Sequence, residues 1–447
     1  MCLLNSWDRM STRLNQINAA VQTMPLALSG QLEQVKGALI EARVPNGEIG
    51  HLCLLMEPAT GLRGRAEIVG LSGQTALLAP LGHMTGLSRR IEIISSRQQP
   101  QFAVSDNSLG CVLDWNGRVQ SRFAGSADHQ EPVSFLDLRT EPPLADKRKP
   151  IATIFKTGIR TIDGLLTLGE GQRIGVYGNA GAGKSTLLEQ IATGADADVI
   201  VVGLIGERSR EVVELVERLQ YRENASRICI IAATSDRPPA ERLNAAFAAT
   251  ACAQHFQDKG LRVLLIMDSV TRVARALREI GLARGEPSTR RGFPPSVFES
   301  LPSLFERAGC FQSGSITALY TILVEGEIID DPIAEETMSL LDGHIILSKT
   351  IAARGIYPAI DVLKSLSRSM KQIVSEERLQ ATTTFRALVN AREDIDMLIR
   401  VGEYQSGHDE FTDRSIAAEP AMKAFLSQSD KSCEFEDTLQ SLYEIAT

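Results

Sequence analysis

The spacing of apolar residues changes its rhythm several times along the chain. From Leu28 to Val44, "LSGQLEQVKGALIEARV", they recur at helical intervals, so this stretch reads as a helix or a flexible lead-in. Short apolar runs broken by Gly, Pro and Ser follow: "HLCLLMEP", "GRAEIVGLSGQTALLAPLG" and "RRIEIISS". They suggest a small all-β unit. "TEPPLADKRKP", Thr140 to Pro150, is rich in Pro and charge and reads as a linker into the next unit. From Ile151 to about Arg368 the apolar runs become continuous: "RIGVYG", "DVIVVGLIG", "RICIIAATS", "RVLLIMDS" and "SITALYTILV". Such runs suit strands buried on both faces, in a parallel sheet covered by helices. After Met370 they stop, and "MKQIVSEERLQATTTFRALVNAREDIDMLIRVGEY" and "EPAMKAFLSQ" read as helices. Three units are expected, 1–98, 99–370 and 371–447, with no internal repeat.

Composition narrows the classes. The formal net charge of -8 argues against a protein whose main work is coating nucleic acid, which needs clustered Lys and Arg. The 7 cysteines are widely spaced with no CxxC, so they read as free thiols in a reducing compartment rather than as a zinc site. No apolar run reaches the roughly 18 residues that span a bilayer. The N-terminal "MCLLNSWDRMSTRLNQ" lacks the apolar core of a secretory signal, so a cytoplasmic protein is expected.

The most specific motif is "GNAGAGKS", which fits G-x-x-x-x-G-K-[ST] at Gly178, Gly183, Lys184 and Ser185. An apolar strand precedes it and a helix-forming stretch follows. In that context Gly178, Asn179, Ala180, Gly181, Ala182 and Gly183 form a loop whose N–H groups face phosphates. The N-terminus of the helix through Thr186 adds positive potential. Lys184 reaches the β- and γ-phosphates, and the Ser185 hydroxyl holds Mg²⁺. A glycine-rich turn with a chance lysine is the bland alternative, but the full pattern in this context reads as binding of ATP or a close relative.

Hydrolysis needs more. "RVLLIMDS" delivers Asp268 directly after a buried strand, where an aspartate supports Mg²⁺ through water; otherwise it merely opens a turn. "DVIVVGLIGERSRE" brings Glu207 and Arg208 to the same sheet edge, where ligands of such sheets bind. Glu207 is placed to polarise the attacking water. On spacing alone it is equally a surface acid paired with Arg208 or Arg210.

"GNAGAGKST", "GLIGERSREV", "AATSDRPPAER", "VLLIMDSVTRVARALREI", "GFPPSVFESLPSLFERAG", "DGHIILSK" and "GIYPAIDVLKSLSR" occur in that order. Together they resemble the hexameric rotary ATPases, and most closely the type III secretion ATPases of injectisomes and their flagellar counterparts. The likeness runs from about Ile68 into the C-terminal region; the first forty or so residues match nothing in it. It implies a RecA-like P-loop α/β core with a parallel sheet, a small N-terminal β-barrel before it and a C-terminal helical domain after it. It implies Lys184 and Ser185 at the phosphates and Mg²⁺, Glu207 as the catalytic glutamate with Arg208 beside it, and Asp268 on the metal side. Arg368 of "SLSR" matches an arginine finger reaching the neighbouring subunit's site, and Tyr357 of "GIYPAID" an aromatic near the adenine; a local ion pair and a core tyrosine are the plainer readings of these two. Two departures stand out: Ser209 where Gly is expected, and an extra Arg beside Arg290 in "GEPSTRRGFPP".

The function so implied is ATP hydrolysis by a homohexamer that energises protein export by releasing chaperones and unfolding substrates. Its expected partners are copies of itself, stalk-like and regulator proteins, chaperone–substrate complexes and the export gate at the inner membrane, with no nucleic acid. A flagellar export ATPase and a rotary ATP synthase subunit are the near alternatives. "LLAPLGHMTGLS" and "DVLKSLSRSM" favour the injectisome, and no acidic run of the synthase type occurs in the helical unit. A Rho-like RNA translocase is the remote alternative. It calls for stacking aromatics in the barrel, and Gly50 to Ser96 has no Phe, Tyr or Trp.

Overall fold

The computed structural model describes residues 29–125, 131–179, 181–326, 330–407, 409–429 and 431–447. Its first element corrects the helical reading of Leu28 to Val44. From Ser29 onward that stretch is a hairpin of β1 (Ser29–Lys36) and β2 (Leu39–Arg43). The chain reverses at Gly37, whose φ of 58° is the left-handed conformation glycine adopts without cost. Helical spacing of a few apolar residues is outweighed here by pairing partners elsewhere in the chain. Ile40 and Ala42 turn into the core that the later strands enclose, while Leu39 is buried in the larger core beside the central sheet.

Those strands are β3 (Leu52–Glu57), β4 (Gly61–Ser72), β5 (Thr75–Leu81) and β6 (Glu92–Ser95). They close with the hairpin into an antiparallel barrel in the order β1-β2-β5-β4-β3-β6, which leaves no free edge. Its interior is a small apolar core including Ile40, Leu55, Ile68, Leu78 and Ile93.

The next strands are β7 (Gln101–Val104), β8 (Cys111–Leu113), β9 (Val119–Arg122) and β10 (Ser134–Asp137). β10 pairs with β7, while β8 and β9 extend the main sheet. The segment Thr140 to Pro150 is therefore not a tether between separate units, as its composition suggests. It lies as a strap across the core: Arg148 bridges to Phe311, and the Lys149 N–H donates to the Cys310 carbonyl at 2.9 Å.

The central sheet has 10 strands, and its path runs β20-β19-β13-β18-β16-β14-β15-β8-β9. The middle strands are β13 (Arg173–Gly178), β14 (Val199–Ile205), β15 (Ile228–Ala233), β16 (Arg262–Asp268) and β18 (Ser315–Leu323), paired in parallel. Every residue of β14 and β15 is buried, which explains their unbroken apolar sequences. One edge ends in β19 (Gly343–Ile346) and β20 (Leu366–Ser367), the latter antiparallel; the remaining strands β11 (Ile154–Phe155), β12 (Leu168–Gly169) and β17 (Gly309–Cys310) are short.

The C-terminal part is helical, with helices over Glu376–Asp394, Asp396–Val401, Glu410–Leu426 and Phe435–Ala446. It packs on the short helix Arg160–Leu165 of the core. Phe425 lies at the join, its ring 5.0 Å from that of Phe385. Arg378 is buried there and donates to the carbonyl of Asp163 and to Thr167. Among the described residues, no helix is long and apolar enough to cross a membrane.

Candidate active site

Three strand ends converge at the C-terminal edge of the sheet. β13 finishes at Gly178 and the chain loops into α2 (Lys184–Gly194); α1 is the helix Arg160–Leu165. Gly181 and Gly183 have φ of 82° and 87°, a conformation that closes the loop tightly and leaves the first N–H groups of α2 facing outward. Ala182 is buried and its N–H donates to the Asn179 carbonyl at 3.2 Å, while Ser185 and Thr186 are exposed on the first turn. Ala180 lies outside the described residues.

Lys184 crosses the end of β18 to the end of β16, where its Nζ stands 3.3 Å from Asp268 Oδ1. The side chains are only 10% and 8% exposed. Thr321 on β18 donates its hydroxyl to the same Asp268 oxygen at 2.6 Å. β14, the strand next to β16, delivers Glu207 to this corner. Burial is the largest influence on the Glu207 carboxyl. With the charge of Asp268 and the carboxyl of Glu211 it pushes the pKa up to about 7, against the opposing charges of Arg272 and Lys184. Arg272 Nε is 3.9 Å from Glu207 Oε1. A cavity of about 300 Å³ opens beside the cluster, with Ser185, Thr186, Glu207, Glu211 and Asp268 on its wall.

So Lys184, Ser185, Glu207 and Asp268 come together, as the sequence suggests. Arg208 does not join them: its side chain is 72% exposed and lies 4.0 Å from Glu211 on α3 (Ser209–Leu219). Tyr357 is 52% exposed, on the connection between β19 and β20. Its carbonyl accepts from the Gln428 N–H at 2.7 Å, and Gln190 of α2 reaches the adjacent Ser429 carbonyl at 3.3 Å. The Tyr357 backbone is thus tied, through Gln428 and Ser429, to the helix that follows the glycine loop.

Arg368 lies elsewhere. Its N–H donates to the Asp342 carbonyl at 3.0 Å, and the Asp342 N–H donates to the Arg173 carbonyl at 2.8 Å. Arg173 begins β13 and Gly178 ends it. Arg368 is therefore at the far end of the sheet from its own glycine loop, about 17 Å away along the strand. Its exposed guanidinium donates to the Met338 carbonyl at 3.2 Å.

Thr321 and Arg272 belong to the site, and the motifs do not reveal them. Thr321 interrupts the apolar run "SITALYTILV", and that interruption is the only sequence signal it leaves. Arg272 follows Asp268 by four residues, in the first turn of α5 (Val270–Ala283); α4 is Pro239–Asp258.

Comparison with known proteins sets this geometry in a family. The model of the nucleotide-binding domain of the ATP synthase alpha/beta family matches residues 158–367. The model of the T3SS EscN ATPase C-terminal domain matches residues 374–444. A type 3 secretion system ATPase of Sinorhizobium fredii is 48% identical over 411 residues, 92% of this chain and 90% of that one. The chain belongs to the type 3 secretion system ATPases. The flagellum-specific ATP synthase of Treponema pallidum is a relative at 40% identity over 423 residues, 94% of each chain. The assembled ATPase EscN of the enteropathogenic E. coli type III secretion system superposes with a TM-score of 0.87 at 40% identity, covering 94% of this chain and 100% of that one. EscN in complex with its central stalk EscO gives 0.84 with the same identity and coverage. The RecA-like core, the barrel before it and the helices after it are those of this family, and the chain is an ATPase of the secretion type. The synthase and flagellar alternatives are kin of this family, and the secretion reading is the favoured one.

Proposed function

We propose that the chain hydrolyses ATP as a homohexamer on the cytoplasmic side of the inner membrane, and that each site is completed by the Arg368 of a neighbouring copy. The observation that carries this reading is the split geometry: Lys184, Glu207 and Asp268 gather at one edge of the sheet and Arg368 stands at the other. A cation delivered by a neighbour stabilises the charge that grows on the γ-phosphoryl oxygens. The heterologous contacts this requires close naturally into a ring.

Mg²⁺ fits the donors available. The Ser185 hydroxyl and Asp268 carboxylate are hard oxygen ligands. Among the described residues, no cluster of three or more His, Cys, Asp or Glu is placed to hold a metal. That suits an ion resting on Ser185, on Asp268 through water, and on the nucleotide's own phosphates. When bound, it would neutralise phosphate charge. Lys184 would hold the β- and γ-phosphates, Glu207 would orient and deprotonate water, and Tyr357 would pack near the adenine. Arg208, which points to solvent, would act at the contact with a neighbour.

The solved complex of EscN with EscO supports a stalk partner for this chain. Chaperone release, substrate unfolding and contact with an export gate complete the proposed role, and residues 1–98, 99–370 and 371–447 would divide the labour as barrel, motor and substrate-facing end. The test of the chemistry is Glu207→Gln. It should bind Mg-ATP with wild-type affinity and lose about 10²–10⁴-fold in turnover. Unchanged turnover would remove Glu207 from the mechanism.

A further inference from the structure

Arg368 serves a neighbour only if its backbone is held at the right height on the sheet edge, and the side chains that hold it form a continuous chain. Asp342, between the helix Pro332–Leu340 and β19, is the hub. Its carbonyl accepts the Arg368 N–H at 3.0 Å and the Gln172 side-chain amide at 3.0 Å. Its carboxylate accepts three donors from Arg173: the backbone N–H and Nε, each at 3.0 Å, and Nη2 at 3.1 Å. Arg173 in turn pairs with Glu306, and Glu306 with Arg148 at 3.1 Å. Arg173 is 16% exposed and Asp342 27%, so the Arg173–Asp342 pair is partly desolvated and, being bidentate, stronger than a surface ion pair. The guanidinium of Arg368 rests meanwhile on the Met338 carbonyl, in the last turn of the helix just before Asp342, where the helix dipole favours a cation.

We propose that Asp342 is a positioning residue for Arg368: its carboxylate, clamped by Arg173 and backed by Glu306, fixes the peptide that anchors the finger. This rests on the reading of Arg368 as a finger supplied to a neighbour. Asp342 pairs with the start of β13, about 17 Å along that strand from its own subunit's phosphate loop, so its effect falls on the site next door.

That separation supplies the test. Asp342→Asn removes the charge of the clamp and keeps the shape. The variant should bind Mg-ATP normally, keep its KM and lose at least tenfold in kcat. Mixed with Lys184→Ala, whose own site is dead but whose finger is intact, it should recover about a quarter of wild-type turnover, because in a randomly mixed ring of heterologous contacts that share of interfaces joins an intact loop to an intact finger. Mixed with Arg368→Ala it should recover nothing. Glu306→Gln, one step further out, should show the same pattern more weakly and decides the matter if Asp342→Asn fails to fold. Recovery in the Arg368→Ala plus Lys184→Ala mixture, without recovery for both Asp342→Asn and Glu306→Gln, overturns the positioning role and leaves the finger standing. Wild-type kcat in both variants overturns it as well. No recovery in the Arg368→Ala plus Lys184→Ala mixture refutes the finger, and the positioning role falls with it.

Discussion

Glu207 carries the sharpest chemical expectation at the scale of single residues. Its carboxyl is pushed up to about 7 by burial and by the neighbouring acids Asp268 and Glu211. A base must be ionised to accept a proton, so kcat/KM for the free enzyme should rise with pH and level off above an apparent pKa near 7. Stability should move the other way. A carboxyl whose pKa is higher folded than unfolded binds protons more tightly when folded, so its contribution to stability declines from the ordinary carboxylate range up through about 7. Glu207→Gln should flatten this part of both profiles; a wild-type profile flat between pH 6 and 8 would contradict the assignment. Lys184, Ser185 and Asp268 were legible in the sequence because a spaced motif and a strand-end acid leave local marks. Thr321 and Arg272 were not. Thr321 meets Asp268 only because β18 and β16 pair in one register, and Arg272 faces Glu207 only because α5 leaves β16 beside the end of β14.

Among the elements, the legible ones were those buried on both faces. The sequences of β13, β14, β15, β16 and β18 are nearly all apolar, and only a covered parallel sheet satisfies them. The misread elements are those whose burial depends on distant partners. The β1–β2 hairpin needs β5 and β6 to cover it, and the strap Thr140 to Pro150 needs the Gly309–Phe311 segment. A few apolar residues in a short, half-exposed segment fit a helix as well as a strand. The join of the helical part to the core is likewise a packing feature, and it yields a prediction at this scale. Phe425 is 2% exposed between Phe385 and the helix Arg160–Leu165, and a Cβ added at Gly164 would come within 2.7 Å of its ring. Phe425→Ala should cost about 3–5 kcal/mol in denaturant unfolding of the C-terminal part. A loss below about 1 kcal/mol, the usual size for surface substitutions and volume-conserving swaps, would show that the helices are not anchored there.

For the whole molecule, the decisive feature is the separation of Arg368 from the phosphate-side residues of its own chain, which the proposed function reads as two halves of a shared site. The phosphate-side residues and Arg368 lie at opposite ends of a rigid sheet, so bending one copy does not join them, whereas stacking copies around a ring does. Under the proposed function, hydrolysis then becomes a property of the assembly and should be suppressed while subunits are apart. The measurement that tests this most directly is ATPase turnover per subunit against protein concentration, for the wild type and Arg368→Ala, with particle size followed by light scattering in the same samples. The geometry predicts that wild-type turnover rises steeply as rings form, and that Arg368→Ala assembles over the same range yet stays at least about 10³-fold slower, the least that a finger contributes. Turnover that is independent of concentration, or indifferent to the loss of Arg368, would mean that each chain hydrolyses ATP alone.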